Sequence, residues 1–208
     1  MPVQVFCDGS CLKNPGGPGA WAAVIIYPDG ARMHIAQPHS DTTNNRMELS
    51  AAINGLRALE GETGVVDLFV DSQYVLRGAT EWLPGWKRNG WRTREGGEVK
   101  NVDLWMELDA AMRELQVRWT WVRGHAGHEN NELADQLAKA AARTQEGTQL
   151  FLRPDDPMPE APDGAAKPKK GPVDLCAGWS DAQLAAAVRL ALGEANGKIV
   201  RVRERLRG

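Results

Sequence analysis

Apolar and polar residues alternate in a way that divides the first 144 residues into strands and helices. The alternation predicts three strands at the start of the chain, over residues 3–6, 20–27 and 31–37. The second and third strands flank Pro28, Asp29 and Gly30, which form a favoured turn sequence. The chain therefore opens with an antiparallel meander.

Helical spacing of apolar residues predicts helices over residues 45–59, 101–115 and 132–143. Short apolar runs predict buried strands over residues 65–70 and 117–122. A further helix of undefined bounds lies between residues 70 and 101. This order predicts an α/β fold, in which helices pack on one mixed sheet.

The composition changes near residue 149. Residues 153–172 are rich in proline and poor in large apolar residues, as in a solvated linker. We therefore divide the chain into a main domain (1–148), a linker (149–172) and a small extension (173–208). The extension contains a predicted helix within residues 179–192, capped by Ser180 or Asp181. Its basic end has three open roles: nucleic-acid affinity, folding back on the domain, or binding another protein.

Composition excludes several classes of protein. Among the 208 residues, 42% are hydrophobic and 25% charged, as in globular proteins rather than disordered or collagen-like chains. The longest apolar run, residues 20–27, is shorter than the roughly 20 residues that cross a bilayer. Because the chain starts without the pattern of a secretory signal, we expect a cytoplasmic protein that does not bind membranes.

The cysteines and the net charge exclude further kinds of site and of binding. Cys7, Cys11 and Cys176 form no CxxC pair, which argues for free thiols rather than disulfides or a zinc ribbon. The formal net charge of −2 gives no bulk attraction to nucleic acid. Any nucleic-acid binding must therefore use a local patch.

Residues 86–100, which we call the basic segment, supply such a patch. They contain five basic residues and two acidic ones. Tryptophans interleave with the cations, which suits contact with phosphates and sugars: Trp82, Trp86, Trp91, Lys87, Arg88. In the alternative interpretation these tryptophans close a small apolar cluster under a solvated loop. We assign tryptophans 105, 119 and 121 to the core or to sheet faces.

Four acids lie at the ends of predicted elements: Asp8, Glu48, Asp71 and Asp135. Each has a simpler explanation. Asp8 suits a turn, Asp71 suits a helix N-cap, and Glu48 completes a capping box with Asn45. Periodicity alone places Asp135 on the solvent side of its helix.

Taken together, the acids indicate a metal site. The carboxyl ends of neighbouring parallel strands lie at the same edge of a sheet. Because Asp8 and Asp71 each follow a predicted strand, we expect them to be adjacent there. Small residues at 51, 52 and 55 let the helix of Glu48 approach closely. Clustered carboxylates repel one another unless hard cations neutralise them, and oxygen ligands favour Mg²⁺ or Mn²⁺ over zinc.

The chain closely resembles type 1 ribonuclease H over residues 1–144. The matching strings are CDGSCLKNPGGPGAWA, TTNNRMEL, VDSQYV, WKRNGW, KNVDLW and VRGHAGHENNELAD, in order and spacing. Such long matches are much more specific than a lone short motif. The residues beyond 149 match nothing in that family.

The resemblance implies a five-stranded ribonuclease-H-like fold and hydrolysis of the RNA strand of RNA/DNA hybrids. Asp8, Glu48, Asp71 and Asp135 match the family's metal-binding acids, and His125 matches its histidine for proton transfer or product release. Two Mg²⁺ ions about 3.5 to 4 Å apart would activate water and stabilise the leaving oxygen. The expected products carry a 5′-phosphate and a 3′-hydroxyl.

The resemblance also implies the contacts with the hybrid. Thr43 matches a residue that holds a DNA phosphate, and the basic segment matches a protrusion that binds substrate. The remaining positions match residues that touch sugars and the minor groove: Cys11, Asn14, Asn44, Asn45 and Gln73. We expect a monomer without a small-molecule cofactor.

Alternatives remain for His125 and for the activity. A histidine in a glycine-flanked loop is often an exposed spectator, and pairing with His128 for zinc lacks a third ligand. The chain as a whole also fits a silent hybrid-binding module, or a two-metal nuclease such as an integrase or resolvase. The complete set of acids argues against the silent module. The string TNNRMEL and the basic segment argue against an integrase or resolvase.

Overall fold

The computed structural model describes residues 1–59, 61, 64–124 and 127–156. Predicted features beyond residue 156, including the helix and basic end of the extension, lie outside these residues. In chain order the described elements are β1 (Val3–Cys11), β2 (Gly19–Ile26), β3 (Arg32–His39), α1 (Asn44–Arg57), β4 (Gly64–Val70), α2 (Gln73–Arg77), a π-helical turn (Gly78–Trp82), α3 (Leu83–Arg88), α4 (Val102–Ala111), β5 (Leu115–Trp121), α5 (Glu129–Thr144) and β6 (Thr148–Leu152).

The strands form one mixed sheet in the order β5-β4-β1-β2-β3-β6. Strand β1 runs antiparallel to β2 and parallel to β4, which confirms the predicted opening meander and the α/β fold. The described sheet has six strands rather than five. Residues 149–152, which the sequence analysis assigns to the linker, belong to β6, because Leu152 pairs with Arg32 of β3 and is buried.

One predicted boundary moves for a clear reason. The helix predicted over residues 101–115 ends at Ala111, and Leu115 instead begins β5 by pairing with Gly64 of β4. The long-range parallel ladder therefore outweighs the helical spacing at the end of that segment.

Helices cover both faces of the sheet. Large apolar residues of α1 and α4, including Trp105, pack on one face. Small residues of α5, such as Ala138 and Ala142, pack on the other face against Ala20 and Ala22. Since α1 and α5 cover opposite faces of β1 and β2, side chains from both helices reach the same end of the sheet.

No helix among the described residues has the length and apolar character needed to cross a membrane.

Candidate active site

Asp8 and Asp71 lie side by side because each follows the last paired residue of the parallel ladder between β1 and β4. Cys7 of β1 pairs with Val70, the last residue of β4, so Asp8 and Asp71 are the next residues along the chain from this pair. This placement confirms that the parallel strands bring Asp8 and Asp71 together at one end of the sheet.

Glu48 reaches these acids because α1 lies very close to β1. A Cβ atom added to Gly9 would lie 2.3 Å from the backbone nitrogen of Glu48. One added to Gly55 would lie 2.8 Å from Val5, so glycine is required at both contacts. The strip of small residues on α1 has the close-packing role that the sequence predicts.

We call the cluster of Asp8, Glu48 and Asp71 the acidic pocket. One carboxylate oxygen from each residue lies within 4.8 Å of the others. Asp8 is only 5% exposed and Glu48 only 8%. Within the described part of the chain, this is the one group of His, Cys, Asp or Glu side chains arranged to hold a metal ion.

Electrostatics in the acidic pocket favour a cation. Burial, followed by the charges of Asp71 and Asp135, raises the pKa of the Asp8 carboxyl well above its usual range. Burial, followed by the charges of Asp8 and Asp71, does the same to the pKa of Glu48. Because the donors are all carboxylate oxygens, the pocket suits a hard divalent cation such as Mg²⁺.

Asp135 joins the site from α5. Its carboxyl group lies within hydrogen-bonding reach of Asp8, and its side chain is 18% exposed. The solvent-facing position that helical periodicity indicates for Asp135 is therefore wrong, because α5 packs across β1 and brings Asp135 to Asp8. Lys139, one turn later, places its ammonium 2.7 Å from the Asp135 carboxylate.

The structure also tests the simpler explanations of the acids. Thr43 caps α1 by accepting a hydrogen bond from the Arg46 backbone N–H, so Glu48 lies beyond the position of a capping box. Ser72, rather than Asp71, caps α2. Asp8 accepts a hydrogen bond from the Gly9 N–H at 2.8 Å, but β1 continues through it to Cys11.

His125 lies outside the described residues, so its predicted place beside the pocket stays a prediction. The residue before it is close to the site: a Cβ added to Gly124 would lie 2.9 Å from Asp71 Oδ2. His128 is exposed and stands at the N-cap of α5 without a side-chain capping bond.

The predicted minor-groove residues surround the start of α1. The Asn14 side chain accepts a hydrogen bond from the Asn44 backbone N–H at 3.2 Å, which docks the loop after β1 onto that helix. The Cys11 thiol donates to Thr42 O at 3.5 Å. The Asn44 side-chain amide in turn donates to Glu48 Oε1 at 3.2 Å.

Asn45 and Gln73, the remaining minor-groove candidates, are exposed at the beginnings of α1 and α2. Both helices start beside the acidic pocket, because Glu48 belongs to α1 and Asp71 begins the two-residue connection between β4 and α2. The predicted contact residues therefore flank the predicted metal ligands.

The tryptophans near the basic segment pack inward. Trp86 and Trp91 contact the main core, rather than a separate cluster under a loop, and Trp82 lies 5.7 Å from the Trp86 ring. Of the tryptophans assigned to core or sheet, Trp105 is fully buried, whereas Trp121 is 46% exposed on edge strand β5.

The cations of the basic segment point outward. Lys87 and Arg88 are exposed, and the Lys87 ammonium lies 2.7 Å from Asp109 of α4. Arg92 donates to Gly96 O at 3.1 Å.

Sequence reasoning did not single out Lys139 or Asp109, although both contact predicted site residues. The spacing of four between Asp135 and Lys139 is a helical ion-pair signal that identifies the first. No local pattern links Asp109 to Lys87, because 22 residues separate them.

Comparisons with known proteins agree with this geometry. Residues 1–143 match the family model described as RNase H. A ribonuclease H of Bradyrhizobium diazoefficiens is 54% identical over 138 residues, covering 66% of this chain and 87% of the relative. A ribonuclease H of Marinobacter nauticus is 52% identical over 146 residues, covering 70% of this chain and 97% of the relative.

Among solved structures, the chain is similar to LC9-RNase H1, described as a type 1 RNase H with the type 2 active-site motif. The two share 35% identity and a TM-score of 0.65, over 71% of this chain and 76% of that one.

Proposed function

Because the chain belongs to the ribonuclease H family, we propose that it hydrolyses the RNA strand of RNA/DNA hybrids with two divalent cations held by its acids. The products would carry a 5′-phosphate and a 3′-hydroxyl. The observation that carries this proposal is the gathering of three carboxylates, two of them buried, within 4.8 Å. Mg²⁺ is the cation we propose, since all the donors are hard oxygens.

Asp8, Glu48, Asp71 and Asp135 would hold the cations. When bound, the cations supply a nucleophilic water at neutral pH and stabilise negative charge on the phosphate and leaving oxygen. The Asn44 amide orients Glu48 by its 3.2 Å hydrogen bond. His125 is proposed to transfer a proton or to assist product release.

Substrate binding is proposed to use both sides of the site. Cys11, Asn14, Asn44, Asn45 and Gln73 would contact sugars in the shallow minor groove, where the 2′-hydroxyl distinguishes RNA from DNA. Thr43 would hold a DNA phosphate. The exposed cations of the basic segment would contact phosphates farther along the duplex, and the tryptophans would hold that segment in place.

A panel of labelled duplexes tests this function. We expect cleavage of the RNA strand of RNA/DNA only, with Mg²⁺ and not with EDTA, and no cleavage of RNA/RNA or DNA/DNA. End-group analysis should give 5′-phosphate products. Binding without cleavage would instead indicate a silent hybrid-binding module, and equal cleavage of DNA/DNA would indicate another nuclease of this fold.

A further inference from the structure

Tyr74 lies between the acidic pocket and the basic segment. It follows Gln73 in α2, the helix that begins two residues after Asp71. The Ser72 side chain caps that helix by accepting a hydrogen bond from the Val75 N–H at 3.4 Å. The position of Tyr74 is therefore fixed relative to the strand end that carries Asp71.

The Tyr74 hydroxyl uses its full hydrogen-bonding capacity of one donor and two acceptors. It accepts from the Asn101 side-chain amide at 3.1 Å and from Trp105 Nε1–H at 3.1 Å. It lies 3.3 Å from Lys100 O, to which it donates. Lys100 is the last residue of the basic segment, so one hydroxyl fastens that end of the segment to α2 and α4.

The Tyr74 ring belongs to a closed group of four aromatic residues, which we call the aromatic hub: Tyr74, Trp82, Trp86 and Trp105. Successive ring centroids around the hub lie between 5.3 and 6.2 Å apart. Trp105 is fully buried, which anchors the hub in the core. Trp86 begins the basic segment, so the hub holds that end as well.

Gly78 permits this arrangement. A Cβ atom on Gly78 would lie 1.9 Å from the Trp105 ring. The π-helical turn that starts at Gly78 carries the chain across Trp105 and delivers Trp82 to the hub. The local helix geometry and the aromatic packing therefore depend on each other.

We propose that Tyr74 is a positioning residue for substrate binding, which holds both ends of the basic segment in a fixed place relative to the acidic pocket. This inference rests on the proposed function, because the basic segment is taken to bind the hybrid. Tyr74 itself touches neither the metal ligands nor the phosphates in this account. Its loss should therefore weaken substrate binding more than the chemical step.

The test compares Tyr74→Phe with Tyr27→Phe, the chain's other tyrosine, whose ring packs 6.1 Å from Phe151. Steady-state cleavage of a hybrid with Mg²⁺ gives KM and kcat, and urea denaturation gives stability. Tyr74→Phe removes all three hydrogen bonds of the hydroxyl; because only part of that free energy falls on substrate binding, KM should rise about 3- to 10-fold, with kcat within about twofold. Tyr27→Phe should change neither constant.

The outcomes separate this inference from the proposed function. An inactive wild-type protein would defeat the proposed function. An active wild type with an unchanged KM in Tyr74→Phe, whatever its stability, would overturn the positioning role. If Tyr74→Phe does not fold, Trp105→Phe removes one donor to the same hydroxyl and part of the ring that anchors the hub, and it should raise KM at least as much; an unchanged KM there also overturns the inference.

Discussion

The acidic pocket and the basic segment carry opposite charges and are built in opposite ways. Burial raises the pKa of both the Asp8 and the Glu48 carboxyl groups, and neighbouring carboxylates raise them further: Asp71 and Asp135 act on Asp8, and Asp8 and Asp71 act on Glu48. In the basic segment the cations are exposed, and aromatic rings beneath them provide the packing.

Because of this difference, we expect the acidic pocket to contribute to catalysis and the basic segment to contribute to substrate affinity. Gathering buried like charges lowers the stability of the metal-free fold, so the pocket is organised for metal binding and chemistry. The basic segment adds charge at the surface, where desolvation is small, so it contributes to affinity without a comparable loss of stability. Variants in the pocket should therefore change kcat and stability, and variants in the segment should change KM.

The largest effect should come from Asp71→Asn. Removing one ligand charge should lower kcat about 10³-fold or more, since metal ions contribute several kcal/mol to transition-state stabilisation. Asp67→Asn is the matched control, because Asp67 lies on β4, the strand that Asp71 follows, and pairs with Arg118 at 2.5 Å, away from the pocket. An Asp71→Asn protein as active as this control would exclude the proposed role of Asp71.

Changing Lys87, Arg88 and Arg92 together to Gln should have the next largest effect. KM for the hybrid should rise about tenfold and depend less on salt, while kcat stays within about twofold, because fewer phosphates are neutralised. The same change at the exposed Arg57, Arg113 and Arg153 is the control. A fall in kcat with constant KM would place the basic segment in the chemical step instead.

The pH dependence of stability should distinguish the pocket from the rest of the metal-free protein. The raised pKa of Asp8 means that the folded state keeps a proton that the unfolded state releases above about pH 3.8. This contribution is present at low pH and is lost as the pH rises. The stability gained by Asp8→Asn, measured by urea denaturation in EDTA, should therefore grow from pH 4 to pH 7.

His34 contributes the opposite dependence. Burial, followed by the charge of Arg32, lowers the pKa of His34 to about 4, so its contribution is lost as the pH falls from 6.5 to 4. Because His34 is present in both wild type and Asp8→Asn, its contribution cancels in the difference between their stabilities. A stability difference that does not vary with pH would contradict the electrostatic account of the pocket.

The smallest effect should come from Asp109→Asn, which frees the Lys87 ammonium from its 2.7 Å ion pair. We expect KM to fall about two- to fivefold. Its dependence on salt concentration should also become steeper, by an amount that corresponds to at most about one additional released counterion. Glu107→Gln on the same helix is the control, since Glu107 pairs with Arg57 at 2.8 Å. An unchanged salt dependence would show that Lys87 makes no phosphate contact.

The sequence predicts the pocket better than it predicts the surroundings of the basic segment. The sequence places Asp8 and Asp71 after predicted parallel strands, and the small residues of α1 indicate how Glu48 reaches them. These signals are local to each element. The resemblance to ribonuclease H adds Asp135, which helical periodicity alone directs to solvent.

Other features depend on contacts between distant residues. Strand β6 forms by pairing with β3, and Asp109 meets Lys87 across 22 positions. The inward packing of Trp86 depends on Trp105, and the passage over Trp105 depends on Gly78. The spacing of apolar residues along the chain does not predict such contacts.

The most direct test of the acidic pocket is its stability as a function of Mg²⁺ concentration, measured by urea denaturation of wild type and Asp8→Asn at pH 7. Without metal, Asp8→Asn should be the more stable protein, because one buried charge is gone. Added Mg²⁺ should stabilise the wild type progressively and the variant much less, since binding to the folded state shifts the unfolding equilibrium. A variant that is less stable than wild type without metal, or that gains equally from Mg²⁺, would contradict the account.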